Sequence, residues 1–304
     1  MGTLQGKKIL VTGASGMLAG DLLPELVSRE AEILATDYLP AERHGLSLFR
    51  LDITDYQQVK DAVTEFRPHW IINCAAYTKV DDAESQRELA FLVNGSGAGN
   101  LARAAEVSGS ALLHLSTDYV FGGRGSHGER RAPYREDDLP APCGVYGASK
   151  RYGEELVLEA LGENALMVRT AWLHGQHGPN FVATMLRVGK DKKELKVVND
   201  QVGSPTWSGF LAQVLVQLIE RNARGIYHVT SRGDISWFDF AAEIFSQAKM
   251  DVRVLPQSTE ELGRPAPRPP YSTLDLSKIE QFLGRPCLSW KEGIAQHLRQ
   301  LGLV

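Results

Sequence analysis

The 304-residue sequence contains only three cysteines, and their positions exclude two kinds of site. Cys74, Cys143 and Cys287 are scattered, so no spacing links them as zinc ligands or as a disulfide framework. The eight histidines include no HxxxH or HExxH pair either. We therefore expect no metal site, and the unpaired cysteines favour a reduced, cytoplasmic compartment.

Long apolar runs and an excess of basic charge are also missing. No run of about 18 apolar residues occurs, which is the length a membrane-spanning helix needs. The N-terminus passes straight into a strand, without the apolar core of a secretory signal. The formal net charge is −4, and acidic and basic residues are interleaved without a basic block. The sequence therefore predicts a protein that binds neither a membrane nor nucleic acid.

The N-terminal stretch combines a buried strand, a glycine turn and an amphipathic helix. Residues 8–11 are apolar, and the turn that follows has the spacing GxxGxxA. Gly13 permits a tight bend, Gly16 lets the backbone approach a pyrophosphate, and Ala19 replaces the third glycine of the usual pattern. The helix over residues 21–28 then offers its N–H groups and its dipole to an anion. This arrangement predicts a dinucleotide-binding fold.

A carboxylate follows the glycine turn at the distance at which such folds bind a ribose. Asp37 ends the second predicted strand, residues 32–36, about 20 positions after the turn. There it can bind both hydroxyls of an adenosine ribose and repel a 2′-phosphate, and no arginine immediately follows it. We therefore expect NADH or NADPH as cofactor, with NADH favoured. The alternative is that Asp37 only begins a surface turn.

A second strand–loop–helix unit contains a candidate proton donor. The strand ends in Ser116–Asp118, at the edge where ligands bind in open α/β sheets. The next helix contains Tyr146 and Lys150, whose spacing of four places them on one helical face. A neighbouring ammonium group lowers the pKa of a tyrosine and prepares it for acid–base chemistry. Tyr56 and Lys60 have the same spacing, so only the context of the first pair indicates a catalytic role.

Strands and helices alternate up to residue 170, which predicts an α/β fold with a doubly wound, parallel Rossmann-type sheet. We expect residues 1–170 to form a dinucleotide-binding domain that strands near 195–200 and 225–230 rejoin. Residues 171–304 would form mainly a smaller, discontinuous C-terminal substrate-binding lobe. The proline-rich stretch 256–270 disfavours a helix and suits an extended segment over the substrate, or else a plain linker.

Two further residues have both a structural and a functional interpretation. Asn94 lies among apolar residues of a predicted helix, where it either bends the helix and holds water near the site or makes structural hydrogen bonds. Trp172 follows another buried strand, where it either faces a ligand or belongs to the core.

A set of motifs along nearly the whole chain is similar to one group of sugar-nucleotide enzymes. They are VTGASGML, LDITD, INCAAYTKVDDAE, LSTDYVF, VYGASKRYGEE, VRTAW, NFVATMLRV, NDQVGSPT and RPPYSTLD. The set resembles the extended short-chain dehydrogenase/reductases and, within them, the dTDP-4-dehydrorhamnose reductases. The chain departs from that family at Ala19, at Gly144, where asparagine is usual, and in a longer, more basic loop at 122–135. The last two lie beside Tyr146 and leave the sugar acceptor open.

The resemblance implies a role for each site residue. Tyr146 would protonate the sugar oxygen as hydride arrives, Thr117 would hydrogen-bond the carbonyl, and Lys150 would bind the nicotinamide ribose. The residues implied to line the cofactor are Gly13, Gly16, Met17, Leu18, Asp37, Asp52, Ile53, Ala75, Ala76, Tyr77 and Lys150. Those implied to face the sugar nucleotide are Thr78, Val80, Asp118, Tyr119 and Trp172.

The implied reaction is NAD(P)H-dependent reduction of the C4 ketone of dTDP-6-deoxy-L-lyxo-4-hexulose to dTDP-L-rhamnose. One alternative is reduction of another dTDP-4-keto-6-deoxysugar. A second is a non-catalytic role like that of the regulatory β subunit of methionine adenosyltransferase, whose PYREED-type loop resembles residues 133–137. A dehydratase fits less well, because Asp118 is a single carboxylate where that class has an acidic pair, and an epimerase is a further alternative. Mg²⁺ dependence has no support in the sequence, and both a monomer and a homodimer are compatible with it.

Overall fold

The computed structural model describes residues 4–125, 128–129 and 132–304, in which strands and helices alternate over most of the chain. The strands are β1 (Lys8–Thr12), β2 (Glu32–Asp37), β3 (Ala41–Arg43), β4 (Leu46–Arg50), β5 (Trp70–Asn73), β6 (Ala111–Thr117), β7 (Arg124–Gly125), β8 (Gly128–Glu129), β9 (Leu166–Thr170), β10 (Leu173–His174), β11 (Glu194–Val198), β12 (Val202–Gly203), β13 (Thr206–Trp207), β14 (Gly225–His228), β15 (Ile235–Ser236) and β16 (Arg253–Gln257). The helices are α1 (Met17–Ser28), α2 (Tyr56–Phe66), α3 (Val80–Ser85), α4 (Arg87–Phe91), α5 (Ala98–Ser108), α6 (Val145–Leu161), α7 (Phe181–Asp191), α8 (Ser208–Glu220), α9 (Trp237–Gln247), α10 (Thr259–Leu262), α11 (Ser277–Leu283) and α12 (Trp290–Gln300). The remaining helical turns are a π-helical turn at Leu92–Gly97 and 3₁₀ turns at Asp118–Val120 and Gly162–Asn164. Part of the long loop predicted at 122–135 lies outside the described residues.

The large sheet has eight strands in the order β14-β9-β6-β5-β1-β2-β4-β3. Its neighbouring strands are parallel except for the hairpin of β3 and β4. From β1 the chain winds outward through β2 to β4, then returns to β5 and winds the other way through β6 and β9. Parallel neighbours need crossover connections, which the helices supply on both faces. The predicted doubly wound Rossmann-type sheet is therefore confirmed.

Each face of the sheet has its own apolar core. Ile9 and Val11 of β1 belong to the core that includes residues of α1 and α8, whereas Leu10 belongs to the core that includes residues of α2 and α5. All three side chains are fully buried, and burial of each contributes roughly 1.5–3 kcal/mol. Because both faces are covered, the strand is an unbroken apolar run and lacks the alternation of a half-exposed strand.

The C-terminal lobe has its own core and its own small sheets. Only one of the two strands expected to rejoin the large sheet does so, since β14 pairs with β9. The strand near 195–200 is β11, and it pairs with β16 in a separate two-stranded parallel sheet, so that expectation is wrong. The reason is its packing: Val197 of β11 lies in an apolar cluster with residues of α7, α9 and α12, which holds the strand in the lobe.

The proline-rich stretch is only partly extended. The first half contains β16 and the short helix α10, which a capping box of Ser258 and Glu261 begins, so the expectation that it has no helix is wrong. The second half pairs with β12 through backbone hydrogen bonds. Val202 N–H donates to Pro270 O, and Ser272 N–H donates to Val202 O, each over 2.9 Å. This half is therefore held against the lobe.

Candidate active site

A cavity of about 880 Å³ opens along the carboxyl ends of the parallel strands. Its walls come from the sheet on one side and from the lobe on the other. The predicted residues that line it are Gly13, Gly16, Met17, Leu18, Asp37, Asp52, Ile53, Ala75, Ala76, Thr78, Val80, Thr117, Asp118, Tyr119, Tyr146, Lys150 and Trp172. Tyr77 is the one predicted residue outside this lining. The topology therefore brings together side chains that are far apart in sequence.

The glycine turn has the shape that a pyrophosphate requires. Gly13 has a φ of 68°, and a Cβ there would lie 2.5 Å from the backbone nitrogen of Ala75. Only glycine therefore allows the turn to pack against the end of β5. Gly16 is the N-cap of α1 and has no side-chain capping bond, so the first N–H groups of the helix are available to an anion.

Asp37 lies at the cavity edge, but its carboxylate also holds the glycine turn. Its Oδ2 accepts from Ser15 N at 2.9 Å and from Ser15 Oγ at 2.8 Å. Sequence reasoning did not identify Arg43, which the β3–β4 hairpin places against the same turn. Its guanidinium donates to Gly16 O over 2.7 Å and to Ala14 O over 3.2 Å. A cation thus lies close to a carboxylate that was expected to repel a 2′-phosphate.

Asp52 and Ile53 form the opposite wall of the same half of the cavity. The Asp52 carboxylate accepts from Thr54 N at 2.9 Å and from Thr54 Oγ1 at 2.7 Å, which fixes the turn after β4. Ile53 packs against Gly97, where a Cβ would lie 2.8 Å from its Cδ1. Together with the glycine turn, this pair lines one half of the cavity.

Tyr146 is a buried phenol at the start of α6. Burial raises its pKa to about 12, a hydrogen bond with Thr117 lowers it, and the Asp118 carboxylate raises it. The predicted lowering of this pKa by Lys150 is wrong for the chain by itself, because the loss of hydration dominates. Tyr146 therefore keeps its proton at neutral pH, as a proton donor must.

Lys150 lies one helical turn further along, with its head group inside the protein. Its Nζ donates to Leu115 O over 2.6 Å, and burial lowers its pKa to about 8, although Glu154 acts in the opposite direction. Glu154 is itself buried and paired with Arg169 through two contacts, of 2.8 and 2.9 Å. Sequence reasoning missed this pair. The available signal was an acidic residue four positions after Lys150, on the same helical face.

Thr117 and Asp118 end β6 beside the phenol. Thr117 Oγ1 donates to Asp118 Oδ1 over 3.1 Å, and Ser272 Oγ donates to Asp118 Oδ2 over 2.6 Å. Asp118 is 2% exposed, and burial raises its pKa to about 6. Ser272 lies two residues after the proline-rich stretch, and its bond places a lobe residue against the end of β6.

Asn94 has a structural role and lies behind the cavity wall. It belongs to the π-helical turn, a feature that often marks functional sites. Its side chain accepts from Tyr77 N at 2.7 Å and donates to Tyr77 O at 3.0 Å and to Ser149 Oγ at 2.9 Å. These bonds fix the backbone of Tyr77 beside the helix and leave Ala75 and Ala76 at the wall. The implied contact of Tyr77 with the cofactor therefore has no support from the geometry.

Trp172 forms the lobe side of the cavity, in a conformation unusual for a bulky residue. Its φ is 45°, a region that few non-glycine residues adopt and that is found at functional sites. Its indole stacks on Trp237 with ring centroids 3.5 Å apart, and Phe181 packs against Trp237 at 4.6 Å. All three line the cavity. The sequence did not identify Phe181 or Trp237.

The described part of the chain contains neither a cluster of metal-ligating side chains nor a helix that could span a membrane. Within 4–125, 128–129 and 132–304, no group of three or more His, Cys, Asp or Glu side chains is placed to hold a metal ion. In the same part of the chain, no helix has the length and apolar character that crossing a membrane requires.

Comparison with known proteins agrees with this geometry. A family model described as the RmlD substrate binding domain matches residues 7–303. A dTDP-4-dehydrorhamnose reductase of Streptomyces griseus is 44% identical over 293 residues, which cover 94% of this chain and 91% of that protein. A dTDP-4-keto-6-deoxy-D-glucose reductase of Streptomyces niveus is 38% identical, with 94% of this chain and 95% of that protein covered.

A solved structure agrees over the full length as well. The dTDP-4-dehydrorhamnose reductase of Bacillus anthracis, in complex with NADP, superimposes with a TM-score of 0.87 at 43% identity. The match covers 97% of this chain and 99% of that one. The chain therefore belongs to the RmlD substrate binding domain family, and it is an NAD(P)H-dependent oxidoreductase of the dTDP-4-dehydrorhamnose reductase type.

Proposed function

We propose that the chain reduces the C4 ketone of dTDP-6-deoxy-L-lyxo-4-hexulose to dTDP-L-rhamnose. The observation that carries this proposal is the convergence of Tyr146, Thr117 and Lys150 in one cavity between the glycine turn and the aromatic wall. The names of the relatives from Streptomyces griseus and Bacillus anthracis support the same substrate.

Each site residue has a separate role in the proposed ketone reduction. A bound nicotinamide cofactor supplies the hydride. Tyr146, protonated at neutral pH, gives its phenolic proton to the ketone oxygen as negative charge develops there. Thr117 would orient that oxygen, and Lys150 would bind the nicotinamide ribose. The buried Glu154 carboxylate keeps positive charge on Lys150 more favourable than burial alone would allow.

We propose that the two parts of the chain bind different ligands. Residues 1–170, with β14, would bind the cofactor through the glycine turn, Asp37, Asp52 and Ile53. Residues 171–304 would supply most of the sugar-nucleotide site, with Trp172 as its wall together with Thr78, Val80, Asp118 and Tyr119 from the sheet side. The stacked indoles of Trp172 and Trp237 form a flat apolar surface, which suits a planar base or the apolar face of a deoxysugar.

Both NADH and NADPH are proposed as cofactors. Asp37 favours free ribose hydroxyls, while Arg43 places a positive charge by the same turn that favours a 2′-phosphate. The prediction from the sequence that NADH is favoured rests on the position of Asp37. The Bacillus anthracis relative was solved with NADP, which supports NADPH as well.

A second candidate is reduction of a related sugar. The relative from Streptomyces niveus is named for a different dTDP-4-keto-6-deoxysugar, so the same reaction on another ring stereochemistry has a specific precedent. The regulatory alternative rests on residues 133–137. In this structure Tyr134 of that segment is buried and stacks on Phe121 at 4.1 Å, which gives the segment a packing role within the chain.

The experiment that tests the proposal is oxidation of NADH and of NADPH with enzymatically prepared dTDP-4-keto-6-deoxy-L-sugar. The product should be identified by its sugar configuration. Fast turnover to dTDP-L-rhamnose is the expected result. A parallel assay with the D-configured dTDP-4-keto-6-deoxysugar tests the second candidate, which turnover of that sugar alone would support. Cofactor binding without turnover of either sugar would support the regulatory role.

A further inference from the structure

The end of β6 holds a short chain of hydroxyl and carboxyl groups whose hydrogen-bond directions depend on one proton. Thr117 and Ser272 each donate to a different oxygen of Asp118. An ionised carboxylate can only accept, and a hydroxyl has a single proton to donate. While Asp118 is ionised, Thr117 therefore has no proton left for a substrate ketone. Its Oγ1 can then only accept, from Tyr119 N at 3.2 Å and from the Tyr146 hydroxyl with which it is hydrogen-bonded.

Protonation of Asp118 reverses this direction. With a proton on Oδ1, the carboxyl group donates to Thr117 Oγ1, and the Thr117 hydroxyl hydrogen becomes free to turn towards the cavity. The position of the proton matters, because the hydrogen bond of Thr117 is to Oδ1. Ser272 decides it, because its 2.6 Å bond to Oδ2 is shorter than the 3.1 Å bond from Thr117 to Oδ1, so that the proton belongs on Oδ1, the more weakly bonded oxygen.

We propose that the protonation state of Asp118 controls whether Thr117 donates to the substrate ketone, and that Ser272 is the positioning residue that directs the proton to the oxygen facing Thr117. The inference deepens the proposed ketone reduction and rests on it. It gives the lobe a direct influence on the catalytic strand through one hydroxyl group. With Asp118 neutral, the ketone receives hydrogen bonds from both Tyr146 and Thr117, and with Asp118 ionised it receives one.

The surroundings make Asp118 the group that changes charge near neutral pH. Burial raises its pKa to about 6, while the bonds from Ser272 and Thr117 lower it. The groups that face it are phenols: Tyr146 on α6, and Tyr119 in its own turn, whose pKa burial also raises. The positive charge of Arg268, in the lobe, lowers the pKa of Tyr119. The same guanidinium is paired with the Asp81 carboxylate at 2.9 Å. The phenols stay neutral between pH 5 and about 8.

Burial and backbone hydrogen bonds fix the position of Ser272 next to Asp118. It is 2% exposed, and its N–H donates to Val202 O over 2.9 Å. The next residue, Thr273, accepts from Tyr134 N–H at 2.8 Å through its carbonyl. Among the residues that the structure describes, the buried Thr273 hydroxyl has no hydrogen-bond partner, so it is a neighbouring hydroxyl without a link to Asp118.

The test is the pH dependence of kcat for reduction of the 4-keto sugar at saturating cofactor. We expect kcat of the wild type to fall as pH rises through about 6, separately from any change near pH 8 due to Lys150. Asp118→Asn cannot titrate and should remove the step near pH 6. Ser272→Ala loses a bond to the carboxylate and should move the midpoint up by about one pH unit.

The controls separate this role from simple packing. Thr273→Val removes the neighbouring buried hydroxyl and should keep the wild-type midpoint, and Ser272→Thr should restore it. A step near pH 6 that persists in Asp118→Asn, or a midpoint that Ser272→Ala leaves unchanged, overturns the inference while ketone reduction stands. If Ser272→Ala does not fold, the pH profile of kcat for Asp118→Asn tests the inference by itself. A wild type that turns over no 4-keto sugar overturns the proposed function and this inference together.

Discussion

Burial shifts the pKa values of two ionisable groups of α6, Tyr146 and Lys150, away from their ordinary values. It raises the pKa of the Tyr146 phenol to about 12 and lowers that of Lys150 to about 8. The helical spacing alone suggested the opposite for Tyr146, because spacing shows neighbours but not the loss of water around them. Lys150 directs its head group to Leu115 O, and this contact places its charge beneath β6.

Tyr146→Phe should lower kcat by roughly 10³-fold, within the range that general acid catalysis provides, because only the donated proton is lost. Cofactor affinity should stay nearly unchanged, as measured by fluorescence titration with NADPH. Tyr56→Phe is the matched control, since Tyr56 and Lys60 repeat the spacing in a different cavity on α2. A Tyr146 variant with near-full rate would contradict the assignment.

Asp37→Ala should raise kcat/KM for NADPH relative to NADH by about tenfold, because the carboxylate no longer repels a 2′-phosphate. Arg43→Ala should change the same ratio in the opposite direction, since its charge lies against the same turn. Steady-state kinetics with both cofactors measures the two ratios. Equal ratios in the wild type and in Asp37→Ala would show that Asp37 does not contact the ribose.

Among the elements, the π-helical turn between α4 and α5 connects packing to the site. Its extra residue per turn brings the Asn94 side chain to the backbone of Tyr77 and to Ser149 of α6. One amide therefore links the loop after β5 to the helix that holds Tyr146 and Lys150. Local periodicity predicts a helix here but not the change of pitch, because the change follows from these tertiary hydrogen bonds.

Asn94→Ala should lower the free energy of unfolding by about 2–4 kcal/mol, because it leaves the N–H and carbonyl of Tyr77 without their partner. Chemical denaturation monitored by circular dichroism measures this loss. Asn100→Ala provides the comparison: its side chain donates only to the carbonyls of Ile53 and Thr54, and carbonyls tolerate a lost donor better. A smaller loss for Asn94 than for Asn100 would contradict the linking role.

At the scale of the whole molecule, a buried polar cluster joins elements of the C-terminal lobe to one another and to α1. His174 of β10 and His297 of α12 meet through their Nδ1 atoms at 3.1 Å. Nearby, Ser208 of α8 donates to Asp21 of α1 over 2.5 Å, and Gln300 of α12 donates to the same carboxylate over 3.2 Å. Burial lowers the pKa of both histidines, that of His297 to about 4. The fold therefore keeps this contact uncharged.

The free energy of unfolding should fall as pH drops from about 6.5 towards about 4. The unfolded chain takes up protons on these histidines over that range while the folded chain does not, so acid favours unfolding. The slope is about 1.4 kcal/mol per pH unit for each proton. Denaturant titrations at several pH values measure it, and His297→Gln should flatten the slope whereas the exposed His69→Gln should not. An unchanged slope in His297→Gln would show that other groups cause the loss.

The sequence by itself determined the sheet and the residues at its carboxyl edge. Apolar runs, the glycine turn and the pair Tyr146 and Lys150 depend on local spacing, and local spacing survives folding unchanged. The motifs also predicted the family, which comparison confirmed.

Only the tertiary structure decided which distant groups complete the site. Arg43, Arg169, Trp237 and Ser272 reach the site through a hairpin, a neighbouring strand and two lobe segments, and the sequence shows no periodicity that links them to it. The sequence also did not determine the position of β11. Its apolar pattern is compatible with the large sheet and with the small sheet that it forms with β16, and the apolar core that packs on it decides between them. The pKa shifts also depend on the tertiary structure. The sequence pattern shows which ionisable groups are neighbours, whereas burial determines how strongly their charged forms are disfavoured.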